Sequence, residues 1–152
     1  MLRSIRQNTD MAQPDLKLDV AGVNALMARA FPDAPPEALP QVTALAPGRA
    51  HIVRAYGGGM LRPGGVISGP NLMSLADTAA YALILAHIGD QLMAVTSSLV
   101  MNFLRGAVPG DLHAEASFLR LGRRIAVCDV KLWTESQDRL AAQATVTYAI
   151  PS

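Results

Sequence analysis

Asp77 is the residue least in keeping with its neighbours, which read Leu75-Ala76-Asp77-Thr78-Ala79-Ala80. A carboxylate among apolar side chains is costly unless it is paired or put to use. Desolvation favours its proton uptake, which suits a general base. A structural role suits it too, through a hydrogen bond across an interface or a place on a narrow polar stripe. Just upstream stands Ser68-Gly69-Pro70. Proline favours the first helical position, where its missing N–H would have no partner. Free N–H groups and the dipole at such a start attract negative charge. Glycine lets a ligand come close to the backbone, so a developing oxyanion fits there; an ordinary helix cap fits as well. Gly69 and Asp77 are eight residues apart, about 12 Å along a helix axis. One reacting carbonyl cannot lie about 3 Å from both. If both act on it, they come from two chains across a two-fold axis, which predicts a homo-oligomer, a dimer or a dimer of dimers.

The remaining polar candidates are weaker. Ser68 as a nucleophile would need a base, and no histidine stands beside it on the same element; a cap or a hydrogen bond to ligand is the simpler role. His51, His87 and His113 are scattered, with no metal-ligand spacing. A place for His87 near a helix C-terminus would favour its charge. Cys128 alternates with core positions and reads as packing.

These residues need elements to hold them. Residues 16–31 carry apolar side chains at helical spacing, ended by Pro32 and Pro35-Pro36. Residues 41–46 and 50–56 are short strand candidates around Pro47-Gly48. Residues 57–65 hold five glycines and a proline, which predicts an irregular loop. It leads into a helix from Pro70 to about His87, apolar on almost every face and therefore buried, and stopped by Gly89. Strand-like segments follow at 92–104, 112–121, 124–134 and 140–150. The short links between them predict antiparallel hairpins. One long buried helix followed by antiparallel strands predicts an α+β architecture, a curved sheet wrapped around the helix as in the hotdog fold, with an extra N-terminal helix.

Composition narrows the function classes. The chain has 152 residues, 51% hydrophobic and 16% charged, which excludes intrinsic disorder. Its one cysteine excludes an intramolecular disulfide and a cysteine-rich zinc site. Thirteen basic residues against twelve acidic ones, with seven aromatic side chains, give nucleic-acid binding little support. The most apolar stretch, 79–88, falls short of the roughly 20 residues of a membrane helix. The N-terminus carries Arg3 and Arg6 without the apolar core of a secretory signal. A cytoplasmic protein is expected, with a loose arm at 1–14 and a single domain at 15–152.

The stretch Gly64-Gly65-Val66-Ile67-Ser68-Gly69-Pro70-Asn71-Leu72-Met73-Ser74-Leu75-Ala76-Asp77-Thr78-Ala79 resembles the signature of hotdog-fold acyl-CoA thioesterases of the phenylacetate-degradation type. Downstream, Asn102-Phe103-Leu104-Arg105, Gly110-Asp111 and Leu119-Arg120-Leu121-Gly122-Arg123 are similar to that family's later strands and turns. The likeness spans about residues 41–150. It implies a thioester hydrolase in which Asp77 activates water or attacks the carbonyl and the Gly69 N–H polarises it. A strand hydroxyl that assists the water in some members falls at Thr96 or Ser97. Arg120, Arg123 and Arg124 match basic residues that contact coenzyme A, with Arg105 beside them; solvated surface charge is their other reading. Coenzyme A enters as part of the substrate, and no metal or redox cofactor is implied.

The departures from the signature are specific. Ser68 replaces the family's usual histidine, Pro70 replaces a second glycine and removes an N–H, and Arg62 stands where some members have asparagine. Asn71, beside the helix start, is placed to restore some polar function. A divergent thioesterase and a non-catalytic acyl-CoA-binding module both follow from these changes. An enoyl-CoA hydratase ranks below them, since no histidine lies between His51 and His87. Met60, Leu61, Met73 and Tyr81 are the candidates for an acyl tunnel.

Overall fold

The computed structural model describes residues 14–152; the arm expected at 1–14 therefore lies, Pro14 apart, outside the described residues. Helix α1 covers Val20–Ala30, four residues shorter at its start than the apolar spacing predicts. Asp19 is the reason. Its carboxylate accepts from the Gly22 N–H at 2.8 Å and caps the helix there. The Lys17 and Leu18 N–H groups before it donate to the Ala86 carbonyl instead.

Strands β1 (Gln41–Ala46) and β2 (Arg49–Arg54) form a hairpin. The glycine-rich segment is more ordered than predicted. A 3-10 turn at Gly58–Met60 precedes a two-stranded ribbon of β3 (Leu61–Arg62) and β4 (Val66–Ile67). Gly64 and Gly65 make its turn at φ 100° and 74°, values that side chains rarely adopt. Helix α2 covers Gly69–Ile88, with Ser68 at its N-cap, so Pro70 takes the second helical position rather than the first. Strands β5 (Val95–Phe103), β6 (Leu112–Leu121), β7 (Ile125–Trp133) and β8 (Ala142–Ala149) follow.

The main sheet is antiparallel, in the order β1-β2-β6-β7-β8-β5. One predicted hairpin is absent. β5 does not pair with β6; it crosses to the far edge and pairs with β8. The rest is the predicted hotdog architecture, a sheet packed on one long helix.

Alternation in β8 leaves Ala142, Ala144, Val146 and Tyr148 buried and the residues between them half-exposed. Small side chains set how closely helix and sheet meet: Ala76, Ala79, Ala80 and Ala86 on α2, and Ala50, Ala114, Ala116, Ala126 and Ala144 on the sheet, are all buried. Leu75, Leu83, Ile84 and Leu85 fill the remaining space. By length and composition α2 matches a membrane-crossing helix, yet 67% of that window is buried within the fold.

Candidate active site

Asp77 lies two turns into α2, half-buried, and faces the edge strand. The Thr96 hydroxyl donates to its Oδ1 at 2.5 Å, and the Tyr148 hydroxyl donates to the same oxygen at 2.8 Å. Tyr148 also lies 3.1 Å from the Asp77 carbonyl. Both donors hold Oδ1. Among the described residues none donates to Oδ2, which leaves that oxygen for a water or a substrate. Burial pushes the Tyr148 hydroxyl far above the ordinary tyrosine range; the neighbouring Thr96 hydroxyl offsets part of that, and the charge of Asp77 adds to it. Tyr148 thus stays protonated and remains a donor.

A bulge makes this contact possible. Thr96 pairs with Tyr148 and Ser98 with Thr147, so Ser97 is the extra residue. Regular alternation from Leu99, which pairs with the inward Val146, would have turned Ser97 towards the helix. The inserted residue turns Thr96 inward instead, and the Ser97 hydroxyl bonds the Thr147 carbonyl at 3.3 Å. Of the two sequence candidates, Thr96 is the one placed at Asp77. Tyr148 was missed. Its alternation showed only that it faces inward, and its partner lies 71 residues away.

The other end of α2 carries the second group. Gly69 is the first helical residue, so its N–H has no acceptor within the helix. Its φ is not positive, and a Cβ added there would meet only the Phe103 ring, at 3.5 Å. Neither backbone conformation nor packing demands a glycine at this position. The Ser68 side chain makes no cap; its Oγ accepts from the Asn71 amide at 2.7 Å. Arg62, Val66, Gly69, Phe103 and Arg105 line a cleft of about 380 Å³ here.

Arg120, Arg123 and Arg124 cluster around a smaller cavity of about 290 Å³ at the β6–β7 turn. None of the three pairs with a carboxylate among the described residues. Ile125 pairs with Ala149, and Ala149 with Val95. The arginine turn and Thr96 therefore share one end of the sheet.

Several sequence readings are corrected. Of the four tunnel candidates, Met60 is 3% exposed and packed in the core, whereas Met73 is 42% exposed. His87 is buried rather than a solvated cation at the helix end. Its Nε2 accepts from the Gly48 N–H at 3.0 Å and its Nδ1 donates to the Leu83 carbonyl at 2.8 Å, a neutral tautomer. Burial holds its pKa below the ordinary value. Cys128 is fully buried, and burial pushes its thiol up to about 12, which agrees with packing.

The comparisons with known proteins agree with this architecture. The sequence profile of the thioesterase superfamily matches residues 64–147, and the chain belongs to that superfamily. A candidate thioesterase from Silicibacter sp. TM1040 is similar at 37% identity, with a TM-score of 0.83 over 93% of this chain and 97% of that one. A candidate thioesterase related to phenylacetic acid degradation, from Ralstonia eutropha JMP134, has the same fold at 24% identity and a TM-score of 0.70, over 82% and 98% of the two chains. A thioesterase from Haemophilus influenzae does so at 19% identity and 0.76, over 92% and 95%. No curated protein matches the sequence. The chain is thus a thioester hydrolase of the hotdog fold.

Proposed function

We propose that the chain hydrolyses the thioester of an acyl-CoA at a site shared by two subunits. One observation carries this reading: the two candidate groups contact opposite ends of the same exposed edge strand. Asp77 is bonded to Thr96, and Gly69 packs on Phe103. Along β5 those residues are seven apart, one of the seven being the bulged Ser97, which leaves six regular steps or about 20 Å of strand. If β5 pairs antiparallel with its copy about a centre at Val100, Leu99 falls opposite the partner's Met101 and, once the bulge at Ser97 is passed, Thr96 falls opposite the partner's Phe103. Asp77 of one subunit then lies beside Gly69 of the other. The edge suits such pairing. Val95 is 56% exposed, Val100 60% and Phe103 54%, and an apolar edge of this kind is a template for a second strand.

In this scheme the free Asp77 oxygen takes a proton from water as the water oxygen adds to the thioester carbonyl carbon. The negative charge that develops on the carbonyl oxygen is met by the Gly69 N–H. Collapse expels the thiolate of coenzyme A, which takes up a proton, and leaves the carboxylic acid. Direct attack by Asp77 gives the same products through an anhydride that water then opens. Arg120, Arg123 and Arg124 are positioned to hold the coenzyme's phosphates, for which the guanidinium fork is suited; Arg62 and Arg105 flank the Gly69 cleft. The lack of any conformational need for glycine at 69 supports close approach by a ligand.

The test is hydrolysis of a panel of acyl-CoA thioesters by wild type and Asp77→Asn, with mass measured by light scattering. Loss of turnover in a folded variant is expected. Unchanged turnover overturns the mechanism, a monomer overturns the shared site, and binding without turnover in the wild type favours the acyl-CoA-binding module.

A further inference from the structure

Thr96 and Tyr148, the two donors to Asp77, also line a cavity of about 570 Å³ that no part of the reading above uses. Its remaining lining comes from the segment around Leu92, from Tyr81 on α2, and from the last turn of α1 at Arg29 and Phe31. The aromatic side chains brace one another. The Tyr81 ring stacks on Tyr148 at 5.8 Å and meets the Phe31 ring edge-on at 6.1 Å. The Tyr81 hydroxyl is tied to the Leu92 carbonyl at 2.8 Å. Arg29, the one charged residue of the lining, is held in an ion pair with Asp90. No free charge in the lining would favour a charged guest.

Helix α1 is docked firmly enough to form a wall. Asn24 exchanges hydrogen bonds of 2.9 and 3.0 Å with the Val42 backbone, and the Lys17 N–H bonds the Ala86 carbonyl at 2.8 Å. The cavity is therefore present before any ligand enters.

We propose that this cavity receives the acyl group of the thioester, and that Phe31 makes the N-terminal helix the selector for apolar acyl groups of ring size or larger. The proposal rests on Asp77 being the reacting carboxylate. The two residues that hold Asp77 form part of the cavity lining, which places an apolar space one side chain away from a carbonyl at Asp77. A cavity of about 150 Å³ suffices for a benzene ring. The space here exceeds that several-fold, and an acetyl group would leave most of it empty.

The experiment compares kcat/KM for acetyl-, octanoyl- and phenylacetyl-CoA in wild type, Phe31→Ala and Ala30→Trp. The wild type should prefer the two larger groups. Opening the wall in Phe31→Ala should lower the phenylacetyl-to-acetyl ratio about tenfold. Filling the space in Ala30→Trp should lower the octanoyl-to-acetyl ratio by at least as much. Ratios are read because a general loss of fold or activity leaves them unmoved. Hydrolysis with both ratios unchanged overturns this assignment and leaves the proposed function standing. Absence of hydrolysis with every thioester overturns the proposed function itself; the same ratios taken from dissociation constants then decide the cavity.

Discussion

Two polar clusters flank the sheet, and they differ in what they leave open. On the outer face, His51, His113 and Trp133 lie nearly parallel, with ring centroids 5.2 to 5.7 Å apart. His51 bonds His113 at 3.0 Å and Thr43 at 3.1 Å. Glu115 beside them is engaged through both oxygens, by Arg49 at 3.2 Å and by Gln137 at 2.5 Å. On the inner edge, Asp77 has both donors on one oxygen, and a cavity adjoins those donors. The outer cluster has more titratable groups and lines a cavity of its own of about 190 Å³, but its carboxylate is engaged through both oxygens. Chemistry needs a reactive atom left unsatisfied beside a space that a substrate can enter, and the inner cluster supplies both.

The largest effect should come from Asp77→Asn, which keeps the shape and removes the base. A loss of about 10²- to 10⁴-fold in kcat/KM is expected, with thermal unfolding close to wild type. Next is Val100→Lys, a charge on the exposed edge. It should yield a monomer by light scattering and lower activity about 100-fold; a fully active monomer would break the shared-site half of the comparison. Tyr148→Phe removes one of the two donors to Oδ1. We expect kcat to fall about tenfold, worth roughly 1.4 kcal/mol, with KM little changed, because the ring packing survives. His113→Gln on the outer face should leave kcat/KM within about twofold of wild type. A loss as large as that of Asp77→Asn would reverse the comparison.

The smallest effect is on stability. Burial holds His51 and His87 below the ordinary value of 6.5, His113 adds to the shift of His51, and Glu115 and the Leu83 carbonyl oppose. The unfolded chain then takes up protons first as the pH falls. Stability present at neutral pH is lost as the pH drops below about 6.5 towards the folded values. Urea midpoints measured from pH 7.5 to 5.5 should decline. His87→Leu should flatten that decline while costing about 1–3 kcal/mol at neutral pH, since the Gly48 N–H loses its acceptor. An equally steep decline in the variant would remove His87 from the account.

Local pattern carried much of the site. The anomaly of an acid in an apolar helix and the glycine at its start were legible because each depends on neighbours within a few residues, whereas the arginines at one turn were singled out by the family resemblance. The boundaries of β1 and β6 were read without error, and those of the other strands of the main sheet shifted by one to three residues. The ordered ribbon in the glycine-rich segment was not legible, since its glycines also permit an irregular loop.

By itself the sequence determined that one apolar helix would be buried under antiparallel strands, because hydrophobic period and turn residues act over short range. The tertiary structure alone decided that β5 runs along the far edge beside β8, that a bulge at Ser97 turns Thr96 towards Asp77, and that Tyr148 completes that contact from the end of the chain. Strand order and register are settled by which distant surfaces pack best together, and no local spacing records that choice.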